Sequence, residues 1–147
     1  MIPVVPMYSS FIQRAFDQLV HDVAILNLPV VICSDRSGIV GNDGETHQGL
    51  LDMAFTNIIP NFTIMAPKDF SELENMLEFA VNLKRPVLIR YPRGAEEIHF
   101  EAQEKIELGK CEILQKGKEI CLIGIGKFVA KAYRIADRLK EEGIEAS

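Results

Sequence analysis

Five short, continuous aliphatic runs constrain this chain more than any other feature: Ile2–Val5, Val30–Cys33, Phe62–Met65, Val87–Ile89 and Ile120–Ile123. Apolar runs this short, with no polar alternation, suit strands covered on both faces. Longer segments with helical spacing lie between them. Phe11, Ile12, Ala15, Phe16, Leu19, Val20 and Val23 share one helical stripe, with Ser9 and Ser10 ahead as caps and Asn27 and Pro29 behind as a stop. Asp69 followed by Glu72 predicts a capped helix running to about Leu83, and a last helix from about Phe128 to Glu142 should stop at Gly143. Strands and helices in alternation predict an α/β fold, a parallel sheet with helices on both faces.

After Pro92-Arg93-Gly94 the pattern changes. Residues 95–107 are rich in Glu and lack aliphatic periodicity, which predicts a linker between a unit over 1–94 and the start of a second α/β unit over 108–147. The 147 residues carry 16 Lys+Arg against 21 Asp+Glu, a net charge of −5. A general nucleic-acid binder needs clustered cations, so no nucleic acid is expected as a partner and any anion site must be local. No apolar run approaches the roughly 18 residues that span a bilayer, and residues 1–6 lack the charged start and apolar stretch of a signal peptide. No membrane partner and a cytoplasmic location are therefore expected. Cys33, Cys111 and Cys121 are odd in number and far apart, with no CxxC pair. They read as small buried hydrophobes rather than ligands or disulfides.

The stretch from Asp35 to Gly49 holds four glycines in fifteen residues, directly after an aliphatic run. Long loops at the carboxyl ends of parallel strands are where open α/β sheets place ligands, and glycine lets a backbone approach one closely. A solvated surface loop is the plain alternative. Acidic residues do not alternate as in a calcium loop, and no Gly-Lys-Ser/Thr marks a P-loop. His47 is the candidate for proton transfer, with Asp43 close enough in sequence to orient it. His21 and His99 read as surface residues. Arg36 follows one run, and Arg90 and Arg93 follow another, so three guanidinium groups can converge on one sheet edge; Arg14 lies near Phe11. Such a group suits a phosphate or carboxylate, while ion pairs with Asp17, Asp35 or Asp52 explain the arginines equally well. Gly124-Ile125-Gly126 lacks the third glycine of a dinucleotide fingerprint and reads as a tight turn.

Five collinear motifs carry a resemblance: Tyr8-Ser9-Ser10-Phe11-Ile12-Gln13-Arg14-Ala15-Phe16-Asp17-Gln18, His21-Asp22-Val23-Ala24, Asp35-Arg36-Ser37-Gly38-Ile39-Val40-Gly41, Asp43-Gly44-Glu45-Thr46-His47-Gln48-Gly49 and Arg90-Tyr91-Pro92-Arg93-Gly94. Together they closely resemble the 1-deoxy-D-xylulose-5-phosphate synthases, thiamine-diphosphate enzymes of the transketolase superfamily. The resemblance implies the later part of a pyrimidine-binding domain followed by the start of the family's carboxyl-terminal domain. It implies a part in condensing pyruvate with glyceraldehyde 3-phosphate, releasing CO2 and feeding isoprenoid, thiamine and pyridoxal biosynthesis, in a homodimer. By position, Phe11 would stack on the aminopyrimidine ring of thiamine diphosphate. Tyr8, Arg14, Arg36 and Arg93 would hold the phosphorylated aldehyde with Asp43 nearby, and His47 would stand beside the reacting carbon. In that family the ligands of Mg2+ and the diphosphate, and the glutamate that activates the aminopyrimidine, lie before the matched segment. The 147 residues alone are therefore expected to be inactive, to bind the cofactor weakly and to self-associate. Two other readings are another transketolase-like enzyme subunit and a non-catalytic module of the same fold serving assembly or regulation.

Overall fold

A computed structural model describes residues 1–100 and 105–147. Four parallel strands, β1 (Val4–Tyr8), β2 (Val31–Asp35), β3 (Thr63–Met65) and β4 (Val87–Arg90), form one sheet in the order β1-β2-β4-β3. Register pairs Val31 with Val87 and Ile32 with Leu88. Alternation then sends neighbouring side chains to opposite faces. Ile32 and Leu88 join Ile12, Leu19, Ala24 and Ile59 on one side, while Val31, Cys33, Val87 and Ile89 join Met65 and Ala80 on the other.

The first side is covered by a helical run over 9–24, here α1, and by α2 (Asp52–Asn57); the second is covered by α3 (Phe70–Leu83). The expected parallel sheet with helices on both faces is thus the observed one. α1 is irregular: α-helical at Ser9–Ile12 and Phe16–Gln18, 3-10 at Gln13–Ala15 and π-helical at Leu19–Ala24. Its expected serine caps do not form. The hydroxyls of Ser9 and Ser10 are buried without a hydrogen-bond partner among the described residues, because β1 runs straight into the helix at Tyr8. The cap of α3 does form: Asp69 accepts from the Glu72 N–H at 2.7 Å, while the Glu72 carboxylate reaches back to the Lys68 N–H at 2.6 Å. α4 (Phe128–Glu141) ends at Gly143, whose φ of 83° closes the turn by Gly143 N–H to Lys140 O and Ile144 N–H to Leu139 O.

The fifth aliphatic run departs from expectation. Residues 120–123 form no strand, only a bridge from Ile120 to Ala146. Cys121 within that run is exposed, as is Cys111 before it, and only Cys33 is the buried hydrophobe that was expected.

The expected linker over 95–107 includes residues 101–104, which lie outside the described residues. Before them Glu96 accepts from the Phe70 N–H, Glu97 pairs with Arg134 at 2.8 Å, and the Phe100 ring meets Tyr133 edge to face. Lys68 lies beneath, its side chain 3% exposed, with its ammonium 2.9 Å from Glu112, 3.7 Å from Asp69 and Glu72, and over the Phe100 ring. No helix among the described residues is long and apolar enough to cross a membrane.

Candidate active site

The carboxyl ends of β1, β2 and β4 release Tyr8, Arg36 and Arg93 toward one place, and the glycine loop brings Asp43 to it. Arg36 leaves β2 with a φ of 56°, a left-handed conformation that a bulky residue adopts only when its surroundings over-determine it. Its guanidinium lies over the Tyr8 ring and bonds Asp43 at 3.0 Å. Arg93 reaches the same carboxylate oxygen at 2.9 Å, and the Tyr8 hydroxyl donates to the other.

Asp43 is 4% exposed in its side chain. The Tyr8 hydroxyl and the Arg36 and Arg93 guanidiniums hold its carboxyl below the usual carboxylate range against the opposing effect of burial. Burial, then the bond to Asp43, pushes the Tyr8 phenol up. Two guanidinium groups share this one carboxylate, and Asp35 touches Arg36 only from an exposed side chain at 3.8 Å. The group therefore keeps an affinity for a further anion.

An aromatic wall adjoins it. The rings of Tyr8, Phe11 and His47 stand 5.3 to 5.5 Å apart, and the Arg14 guanidinium lies over Phe11. Phe11 is 42% exposed, an open ring face that fits a planar heteroaromatic group. No three of His, Cys, Asp and Glu gather around a metal position among the described residues. The described residues thus offer a planar ring face and cationic groups for an anion, without a ready metal site.

Two expectations are corrected here. His47 is not oriented by Asp43: its Nδ1 pairs with the Thr46 hydroxyl at 2.7 Å, since Asp43 is already taken by Tyr8 and the arginines. Arg90 does not join the other arginines, because it bonds Asp52 at 2.8 and 3.4 Å. Of the four loop glycines, Gly38, Gly41 and Gly44 face open space, whereas Gly49 is tightly packed. A Cβ on Gly49 would stand 2.5 Å from Ser9 Oγ and 2.8 Å from Arg36 O, so Gly49 lets the loop pack on the start of α1. His21 and His99 are surface residues paired with Asp17 and Glu96. Asp52 entered only as one of three acids that could pair with the arginines, and Arg90 takes it; Lys68 was not among the candidates and left no signal in the sequence.

Residues 1–97 match the transketolase pyrimidine binding domain and residues 109–147 the transketolase C-terminal domain. A 1-deoxy-D-xylulose-5-phosphate synthase of Natranaerobius thermophilus is 51% identical over 97% of this chain and 23% of its own length. One from Crocosphaera subtropica is 50% identical over all of this chain and 24% of its own. The chain thus spans about a quarter of the curated relatives it matches. Among solved structures, a split-gene transketolase titled an inactive beta4 tetramer superposes with a TM-score of 0.88 at 28% identity, over 98% of this chain and 47% of that one. The Pichia stipitis transketolase in complex with sedoheptulose 7-phosphate shares the fold, with a TM-score of 0.84 at 22% identity over 97% of this chain and 22% of its own. With two thirds of its length matched by the pyrimidine-binding domain and most of the rest by the C-terminal domain, the chain belongs to the transketolase family.

Proposed function

We propose that this chain forms part of a thiamine-diphosphate-dependent transferase that condenses pyruvate with glyceraldehyde 3-phosphate to 1-deoxy-D-xylulose 5-phosphate and CO2. The observation that carries the reading is the meeting of Tyr8, Arg36 and Arg93 on Asp43 beside the Phe11 and His47 rings. Half-identical synthases support the choice of reaction. In this reading 1–94 are the later part of the pyrimidine-binding domain, 95–107 a linker and 108–147 the start of the C-terminal domain, in a cytoplasmic homodimer.

When bound, the cofactor supplies the carbanion chemistry. Phe11 offers its open face to the aminopyrimidine ring. Arg36 and Arg93 exchange part of their contact with Asp43 for the phosphate of the aldehyde, while Tyr8 donates its hydroxyl and Arg14 adds charge at the rim. His47 has Nδ1 engaged by Thr46, so Nε2 is the atom that donates to or takes a proton from the reacting substrate. Mg2+ and the diphosphate are held by residues outside this chain. The isolated chain is inactive and binds the cofactor weakly.

Steady-state kinetics of the holoenzyme with both substrates varied test these roles. His47→Ala should lower kcat by roughly 10²–10⁴-fold with the aldehyde still bound. Arg14→Ala or Arg93→Ala should instead raise the aldehyde KM, each losing a charge-assisted bond worth about 1.5–3 kcal/mol. A rise in KM alone for His47→Ala would make it a substrate clamp. A second reading, an assembly module without activity of its own, is favoured by the inactive tetramer of the split-gene relative.

A further inference from the structure

The loop that carries Arg36, Asp43 and His47 is tied down at its base by hydrogen bonds that lie outside the Tyr8–Arg36–Asp43–Arg93 group. Ser37 N–H donates to Tyr91 O at 2.9 Å, Tyr91 N–H to Ser34 O at 3.1 Å, and Gly38 and Gly49 bond each other at 2.7 and 3.0 Å. Beneath this base lies a buried polar cluster. Asp52, 1% exposed, stands three residues after Gly49 and opens α2; Arg90 closes β4 and grips it with two guanidinium bonds. Ser34 Oγ at the end of β2 reaches Asp52 at 3.5 Å and Ser37 Oγ at 2.9 Å, and Ser37 Oγ donates to Ser34 O at 3.1 Å. One chain of contacts therefore joins the loop's start, its exit and the strand that leads to Arg93.

We propose that the Asp52–Arg90 pair is a positioning device for the 36–49 loop, setting Arg36, Asp43 and His47 against Tyr8, Phe11 and Arg93. Burying two charges gives little net stability, because desolvation offsets their attraction, so stability is a poor reason for this pair. Direction is the better one. A guanidinium fork on a carboxylate fixes angle as well as distance, and two apolar side chains do not. The left-handed backbone at Arg36, one residue before Ser37, also needs a rigid base to persist. The functional consequence rests on the role of the loop proposed above.

Amide hydrogen exchange of the 147-residue chain tests the device, comparing Arg90→Lys, which keeps the charge and loses the fork, and Asp52→Asn with the parent chain. The Ser37, Gly38 and Gly49 amides should exchange about tenfold faster while the β2 and β4 amides keep their rates, as in opening of one local unit. Equal acceleration in loop and strands would reduce the pair to a general fold contact, and unchanged loop amides would remove it from the loop altogether; either result overturns the proposal. Should Asp52→Asn fail to fold, Arg90→Lys decides alone, with Ser37→Ala expected to loosen the same amides by a few fold. A loosened loop with unaltered aldehyde kinetics in the holoenzyme would instead defeat the reading of the site and leave the positioning intact.

Discussion

The aliphatic runs at 87–89 and 120–123 are alike in sequence and opposite in outcome. Val87, Leu88 and Ile89 are fully buried, paired to β2 and β3 and covered by helices on both faces. Ile123 is 86% exposed and Ile113 70%, and the buried hydrophobics from 105 onward are the alanines Ala130, Ala136 and Ala146. A strand needs a ladder on its sides and apolar cover above and below. Residues 1–94 supply both from within, whereas among the described residues 120–123 find a bridge from Ile120 to Ala146 and two backbone bonds to Ser147. Apolar composition thus states an appetite for burial; the neighbours decide whether it is met.

The largest effect should come where the two regions meet. Lys68→Met removes the ammonium from between Asp69, Glu72 and Glu112 and leaves the Asp69 and Glu72 charges without a cation, a loss of about 3–5 kcal/mol in urea unfolding. A loss under about 1 kcal/mol would make this contact incidental. The comparison itself is sharpened by truncating matched side chains. Leu88→Ala should cost about 2–5 kcal/mol, and Ile123→Ala less than about 0.5 kcal/mol. Equal costs would show that the second region carries a core of its own.

Acid should separate site from sheet by a smaller margin. The carboxyl of Asp43 lies below its ordinary 3.8, so its contribution is complete above that value and is lost as pH falls through the lowered one. The Tyr8 phenol moves the other way, above its ordinary 10.0, so its bond to Asp43 is intact below that value and fails as pH rises through the raised one. Nuclear magnetic resonance titration of the two side chains reads both limits. Asp43→Asn should return Tyr8 toward 10.0, and an unmoved Tyr8 would remove the pairing from the account.

Much of the fold was legible because burial on both faces leaves continuous apolar runs and capping leaves Asp69 and Glu72 at fixed spacing. The failures share a cause in tertiary context. Ile120–Ile123 has strand composition without a ladder. Ser9 and Ser10 have cap chemistry without a break in the chain where a cap is needed. Within the site, the gathering of Arg36 and Arg93 was legible from their places after strands, while their sharing of Asp43 was not. Asp43 meets Tyr8 across 35 residues and Arg93 across 50, separations that no local pattern encodes. Arg90 looked like a third member and belongs instead to Asp52.

The central claim is that Arg36 and Arg93 hold a phosphate. Kinetics of the Arg93→Ala holoenzyme with glyceraldehyde 3-phosphate and with unphosphorylated glyceraldehyde test it most directly. The account predicts a KM for the phosphorylated aldehyde raised by roughly tenfold or more, with the unphosphorylated one almost unchanged, since only the first loses a charge-assisted bond. Equal losses on both aldehydes would contradict it, for Arg93 would then support the loop through Asp43 without meeting a phosphate.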